Sequence, residues 1–451
     1  KKMTNFDLFV SRAAGSVRYA SYVAGTAATV LCGWILGVNL VVPVLLVSLG
    51  LLLQAMHRSK DLKAYRMLYL VFLYVIVMTA TYMIRAYKAP IFLTPFSVLA
   101  LLSVMLFNDL VVAFVLTVAG AVTAAAINAN DLYMGMLFLT SGIAAALLAN
   151  GARRRNEVIR AGVIVGVLQA ATGVILTNFR FFEPMQYVIL FANGAACGII
   201  VLGILPVFEF LFHRVTNISL LEMADFNHPL LHRLMLEAPG TYHHSLIVGN
   251  LSEAACSAIG ANSLLARIGA YYHDVGKLAK PEYFSENQDL AVNKHDTLSP
   301  TISKLVIMNH IKEGIDLARQ YHLNASIIDF IQSHHGTSLV YYFYRRALER
   351  VEDTQEVPEE GFRYPGPKPR TKEIAVVLLA DSVEAATRSM KSPSPDGIRE
   401  LVHKIINNKF IDGQLDDCDL TLRDLEKIAQ VFIHVLSGIY HTRITYPEQK
   451  K

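Results

Sequence analysis

Charge is scarce in this chain. Of its 451 residues only 17% are Asp, Glu, Lys or Arg, against about 25% in an ordinary soluble protein, and the mean hydropathy is +0.38. The shortage is uneven. Residues 1–212 hold 15 Lys and Arg against 7 Asp and Glu, whereas residues 213–451 hold 26 against 30. An apolar, net positive half therefore precedes a half of ordinary composition, which predicts a membrane domain over 1–212 and a soluble domain over 213–451. The soluble half has no basic excess, which argues against a binder of polymeric nucleic acid and leaves room for a small anion held by local charge or metal. Cysteine is sparse too. Cys32, Cys197, Cys256 and Cys418 lie far apart with no CxxC pair, which gives no disulfide framework and fits a reducing cytosol around the soluble half.

A helix that crosses a bilayer needs about 20 largely apolar residues, because nothing in the hydrocarbon core satisfies an open backbone. Eight such runs occur, near 17–37, 40–56, 64–87, 91–107, 110–127, 131–149, 160–177 and 186–212. The first two can alternatively form one re-entrant hairpin. No small-residue cleavage site follows the first run, so it reads as an anchor rather than a secretory leader. Basic clusters at Arg58, Lys60, Lys63 and Arg66 and at Arg153, Arg154, Arg155 and Arg160 mark cytoplasmic loops. Counting from either one places both the N-terminus and the segment after 212 in the cytoplasm. No ionisable pair stands at mid-membrane, where a transporter is expected to keep one. Asp109 and Asp131 fall at run ends and read as solvated loop residues, and Glu209 falls near the cytoplasmic end of the last run, within reach of water.

From about 228 onward the apolar spacing turns helical, as in Leu422, Leu425, Ile428, Phe432, Leu436 and Ile439. Thr421 with Asp424 three residues later marks a helix start. No run alternates like a strand, so the expected fold is all-α: a polytopic transmembrane bundle followed by a cytoplasmic helical domain. Potential metal ligands recur through that domain as His243-His244-Ser245, His273-Asp274-Val275-Gly276-Lys277, Asn309-His310, His334-His335-Gly336 and Ala380-Asp381-Ser382. Imidazole with carboxylate suits Mn, Fe, Zn or Ni. Neighbouring side chains on a helix diverge by roughly 100°, so each adjacent pair can straddle two metal positions, and Asp274 can bridge two ions through its two oxygens. Two such ions share a water, lower its pKa and clamp phosphoryl oxygens during in-line displacement. Lys277, four residues after His273, is placed to offset charge on the phosphorane or the leaving oxygen if the helix continues that far. Arg388, seven residues after Asp381 and on its helical face, is a candidate phosphate contact. The Pro-, Glu- and Gly-rich stretch 352–370 reads as a loop over or beside the site. Tyr283, Phe284, Tyr341 and Tyr342 are available to stack on a base.

The order H…HD…H…HH…D resembles the HD superfamily of metal-dependent phosphohydrolases. The strings LMLEAPGTYHHSLIVGNL, YYHDVGKLAKPEYFSENQ and SHHGTSLVYYFY more closely resemble its seven-transmembrane-receptor HD branch, that of the PgpH-type cyclic-di-AMP phosphodiesterases. The likeness covers about residues 40–445 in architecture and is specific in its motifs over about 225–390. It implies that His244, the histidine before Ser245, is the first ligand. His244, His273 and Asp381 then hold one ion and His310, His334 and His335 the other, with Asp274 shared. It further implies iron or manganese, hydrolysis of cyclic-di-AMP to linear 5′-pApA, and a bacterial cytoplasmic membrane location. Members usually carry a large extracellular domain after the anchor, for which the gap at Gly37–Asn39 leaves no room. Two rival readings are a receptor that binds nucleotide and signals without cleaving it, and a hydrolase of another nucleotide such as cyclic-di-GMP, although the Gly-Tyr-Pro signature of the latter branch is missing after Lys277. Homo-oligomerisation is left open.

Overall fold

The computed structural model describes residues 64–129, 131–176, 183–288, 293–350, 357–390 and 393–440. The runs expected at 17–37 and 40–56, and Arg58, Lys60 and Lys63, lie outside them. Two compact units divide after Ile218.

The first unit contains α1 (Ala64–Ala86), α2 (Ser97–Phe107), α3 (Leu110–Ile127), α4 (Leu132–Ala149), α5 (Arg155–Leu176) and α6 (Pro184–Phe212). All but α2 are long and apolar enough to cross a membrane. The run expected over 91–107 divides into a 3-10 turn, Ile91–Leu93, and the shorter α2. Pro90 and Pro95 flank the break, since proline removes a backbone donor and bars the preceding residue from helical geometry. Asn193 Nδ2 donates to the carbonyl of Thr94 at 3.1 Å, giving a partner to backbone that the helix no longer serves. Asp109 and Asp131 cap α3 and α4. Asp109 accepts from Val111 N and Val112 N, and Asp131 from Tyr133 N and Met134 N. Glu209 departs from expectation: it is buried rather than water-facing and accepts from Thr216 N at 2.7 Å, so it closes the turn after α6.

Helices α5 and α6 approach through glycine. A Cβ on Gly194 would lie 2.2 Å from Gly166 N, one on Gly166 2.4 Å from Phe191 O, and one on Gly162 2.7 Å from Gly194 O. Lipid offers no hydrophobic drive between helices, so such backbone contact supplies the association energy through close packing.

The division falls within the short α7 (Asn217–Met223), and the second unit continues with α8 (Pro229–Glu237), α9 (Pro239–Ile259), α10 (Ser263–Tyr272), α11 (Pro300–Gln320), α12 (Ala325–Ser333), α13 (Tyr341–Leu348), α14 (Lys372–Arg388), α15 (Pro395–Ile411) and α16 (Leu422–Ile439). Among the described residues the only β feature is an isolated bridge between Leu339 and Arg363. The chain is all-α, a transmembrane helix bundle followed by a helical domain. The core of the second unit joins Val248, Leu251 and Ala255 of α9, Val376, Val377 and Leu379 of α14, and Ile428, Phe432 and Leu436 of α16. Thr421 and Asp424 form the expected reciprocal cap, each side chain accepting from the other's backbone N–H.

Replacing Gly166 or Gly194 by Ala should lower the thermal midpoint of the detergent-solubilised chain, since forced overpacking costs roughly 1–3 kcal/mol. A Cβ on Gly203, also on α6, meets nothing within 4 Å, so Gly203→Ala should melt like the parent. Equal midpoints for all three would refute the close crossing.

Candidate metal centre

Helix α10 stops at Tyr272, and His273 and Asp274 turn the chain into a 3-10 segment over Val275–Ala279. Helix α12 stops at Ser333, just before His334 and His335. Both pairs therefore sit beyond a helix C-terminus rather than within a helix, and two of the histidines bond carbonyls of its last turn. His273 Nδ1 donates to Ala270 O at 2.7 Å. His334 Nδ1 donates to Ile331 O at 3.0 Å and Phe330 O at 3.1 Å. Within α11, His310 Nδ1 donates to Ile307 O at 2.6 Å. On α9, His244 Nδ1 donates to Glu384 Oε2 at 2.5 Å. Each bond fixes a ring proton on Nδ1 and turns Nε2 toward the centre, where it is an acceptor whenever the ring is neutral.

All four Nε2 atoms face the buried carboxylate of Asp274. Its Oδ2 lies 3.2 Å from His273 and 3.6 Å from His244, and its Oδ1 lies 3.4 Å from His310 and 3.6 Å from His334. Asp381 adds Oδ1 at 3.1 Å from His244 Nε2 and Oδ2 at 3.5 Å from His335 Nδ1. His310 and His334 meet Nε2 to Nε2 at 3.3 Å. Acceptor facing acceptor requires a proton or a cation between them. Burial pushes the His310 imidazole down to about 4, so at neutral pH that ring does not supply the proton. His273 Nε2 and Asp274 Oδ1 are buried without a hydrogen-bond partner, a cost of about 1–3 kcal/mol each that a bound cation removes. Donors that share an ion at about 2.0–2.1 Å stand roughly 3.0–3.4 Å apart, close to the separations seen. The donors fall into two groups, His244, His273, Asp274 and Asp381, and Asp274, His310, His334 and His335. Within each group they lie within 4.8 Å of one another. The residues fit a divalent metal site.

The charge balance agrees. Asp274, Asp381 and Glu384 are buried, and burial alone would raise the carboxyls of Asp274 and Asp381. His273 and Lys277 instead hold Asp274 well below the ordinary range, as hydrogen-bonded His244 does Asp381. Lys277 sits between two carboxylates, 2.7 Å from Asp274 Oδ2 and 2.7 Å from Glu286 Oε1. Burial opposes its charge, but Asp274 and Glu286 raise it above the ordinary lysine value. Burial likewise opposes charge on Glu286, yet Lys277 lowers it to about 2. Because the chain is 3-10 there, Lys277 reaches Asp274 across three residues and not along a continuing α-helical face. Glycine permits the close approaches. A Cβ on Gly276 would lie 1.8 Å from His310 O, and one on Gly240 1.9 Å from Glu286 O.

The structure brings together all seven residues expected as ligands. Arg388 lies behind them, 3.7 Å from Glu384 Oε2. Of the four aromatic residues considered for stacking, Phe284 alone meets a histidine of the cluster, edge-on to His310 at 6.0 Å. Tyr341 and Tyr342 are exposed. Three residues at the site were not anticipated: Glu384 behind His244, Glu286 behind Lys277, and Tyr364, whose ring stacks on His335 at 4.3 Å. Glu384 follows Asp381 by three residues on one helix, a spacing that could have revealed it. Tyr364 belongs to the loop expected beside the site.

Residues 33–216 match the family described as "7TM receptor with intracellular HD hydrolase", and residues 241–386 match the HD domain. The chain is 43% identical over 324 residues to cyclic-di-AMP phosphodiesterase PgpH of Bacillus subtilis, a match covering 70% of this chain and 45% of that protein. It is 40% identical over 346 residues to PgpH of Listeria monocytogenes, covering 75% and 48%. The chain thus spans about half the length of these curated relatives. A crystal structure of the Listeria monocytogenes PgpH HD domain in complex with cyclic-di-AMP shares 48% identity, covers 49% of this chain and 100% of its own, and superposes with a TM-score of 0.46.

Burial disfavours charge on His244, but Asp381 and Glu384 overcome it and raise the ring to about 9. In metal-free protein the protonated ring contributes stability that is fully present below about pH 6.5 and lost as pH rises through about 9. Metal needs the neutral ring, so Mn²⁺ affinity should climb over that window, with a proton released on binding near pH 7. Calorimetry in buffers of different ionisation heat measures that proton. Glu384→Gln should weaken Mn²⁺ binding roughly 10–100-fold, and affinity independent of pH from 6 to 9 would contradict the assignment.

Proposed function

This chain belongs to the family of seven-transmembrane receptors with an intracellular HD hydrolase, and from that premise we propose that it is a membrane-anchored phosphodiesterase that uses two divalent ions to hydrolyse cyclic-di-AMP to linear 5′-pApA. The observation that carries this reading is the pair of donor groups sharing Asp274. Mixed imidazole and carboxylate donors favour iron or manganese over magnesium or calcium, which prefer all-oxygen shells. The PgpH proteins named above supply the substrate. A cytoplasmic nucleotide also requires a cytoplasmic domain. The Arg153–Arg155 loop between α4 and α5 is basic and so stays inside. Helix α5 then runs outward and α6 returns, leaving the residues after Phe212 in the cytoplasm.

Two divalent ions, when bound, acidify water and offset charge on phosphoryl oxygens. The protein's own part is to hold them and keep the site rigid. Asp274 offers one oxygen to each donor group, and His244, His273 and Asp381 complete one while His310, His334 and His335 complete the other. Carbonyl and carboxylate acceptors on the Nδ1 side keep four of those rings from turning. Lys277 spends two of its three N–H donors on Asp274 and Glu286. The third has no acceptor among the described residues and is available to a phosphoryl or leaving oxygen. In the reaction a water oxygen bonds to phosphorus, the P–O3′ bond breaks and the departing oxygen takes a proton. One such cleavage leaves a 5′-phosphate and a free 3′-hydroxyl.

The full chain in lipid nanodiscs, loaded with Mn²⁺ or Fe²⁺, should cleave cyclic-di-AMP in preference to cyclic-di-GMP and bind about two metals. Asp274→Ala should lose both metal and turnover. Two bound metals with neither dinucleotide cleaved would point to the non-hydrolysing receptor, and near-parental turnover in Asp274→Ala would remove Asp274 from its bridging position.

A further inference from the structure

Three segments of the second unit are joined by polar bonds. Tyr364 N donates to Ser338 O at 3.0 Å. Arg363 donates to Thr337 O at 2.9 Å and to Asp412 at 2.8 and 3.2 Å. Lys409 Nζ donates to Ser338 Oγ at 2.7 Å, and the fully buried Gln414 accepts from Thr337 N at 2.8 Å. This network fixes the backbone on either side of Tyr364 against the loop that leaves His335.

The outcome is a tyrosine ring, 8% exposed, stacked on His335 at 24° and nearly perpendicular to His310 at 6.2 Å. Its hydroxyl has no hydrogen-bond partner among the described residues. Its contacts with His335 and His310 place the ring at the donor cluster. Stacking on His335 needs only the ring, and phenylalanine would provide that without a hydroxyl to desolvate. With no protein acceptor among the described residues, the hydroxyl is free to donate to an oxygen that arrives at the cluster. An anionic phosphoryl oxygen drawn to the cluster is such an acceptor, and burial holds the phenol above its ordinary value, so it remains a donor at neutral pH.

We propose that Tyr364 is a further catalytic residue, donating a hydrogen bond to a non-bridging oxygen of the scissile phosphate. This rests on the diesterase reading above. The bond strengthens as charge grows on that oxygen in the transition state, so its loss falls mainly on kcat.

The test uses the full chain in nanodiscs, Mn²⁺-loaded, with cyclic-di-AMP and bis(p-nitrophenyl) phosphate as substrates. The second has a leaving group that needs no proton. Tyr364→Phe should keep the parental metal content and melting temperature while kcat falls roughly 10–100-fold on both substrates with KM little changed. An unchanged kcat would overturn the assignment. So would a loss confined to cyclic-di-AMP, which would put the hydroxyl on the leaving oxygen or the nucleoside. Metal lost from Tyr364→Phe would reduce the residue to a support for His335. A parent that binds metal but cleaves neither diester would defeat the diesterase reading, and this assignment with it.

Discussion

One buried carboxylate organises the second unit. Asp274 has no water to face, and its two oxygens look in opposite directions toward rings whose near nitrogens are themselves acceptors. An ionised carboxylate so placed, alone, would be among the costliest features a protein interior can hold. Lys277 relieves one oxygen at 2.7 Å, while the other has no hydrogen-bond partner. The remainder of the cluster makes sense as a cage for positive charge beyond what Lys277 and His244 provide. It also explains why Nδ1 is tied back by an acceptor in four of the rings. A ring free to turn its N–H inward would satisfy Asp274 by itself and close the site to metal.

The enforcement draws on ordinary secondary structure. Helix ends carry unused carbonyls, and α10 and α12 terminate where His273 and His334 can claim them. A continuing α-helix over the His-Asp and His-His pairs would have consumed those carbonyls in its own ladder and spread adjacent side chains about 100° apart. The chain leaves the helix at both pairs instead, and both members of each then reach the centre. Helix α14 contributes differently: Asp381 faces the donors directly, and Glu384, one turn on, acts through His244. Arg388, a further turn along, pairs with Glu384, so one helical stripe carries Asp381, the carboxylate that holds His244, and its counter-charge in succession.

Much of this was legible in the sequence because it follows from local chemistry. Apolar runs set α1 and α3–α6, and Thr421 with Asp424 marked the start of α16. The order of histidine and aspartate singled out seven residues that the fold brings together. What the sequence hid depends on contacts across the chain. The break before α2 was signalled by two prolines, but the Asn193 side chain that makes it tolerable comes 99 residues later. Glu209 looked solvated from its position in the run, and its partner Thr216 becomes visible only once the turn is formed. Glu286 and Tyr364 are distant from most of the ligands they serve, and no spacing rule connects them. The glycines at 162, 166, 194 and 198 form two GxxxG pairs, readable as a packing motif in hindsight, though not as to which helix each would meet.

Glycine solves one geometric problem in both units, for different ends. Between α5 and α6 it lets two backbones touch, because lipid leaves close packing as the main attraction. At Gly276 the backbone touches α11 at His310 and Gly314, and here the demand comes from chemistry. Donors on one ion must stand within a few ångströms of each other, so segments bearing short ligands such as Asp274 must come almost into contact. A single methyl group at 276 would collide with the carbonyl of His310 and drive His310 away from Asp274, now 3.4 Å from it. The requirement for glycine in that motif is thus set by the reach of an aspartate side chain, which is too short to span any wider gap.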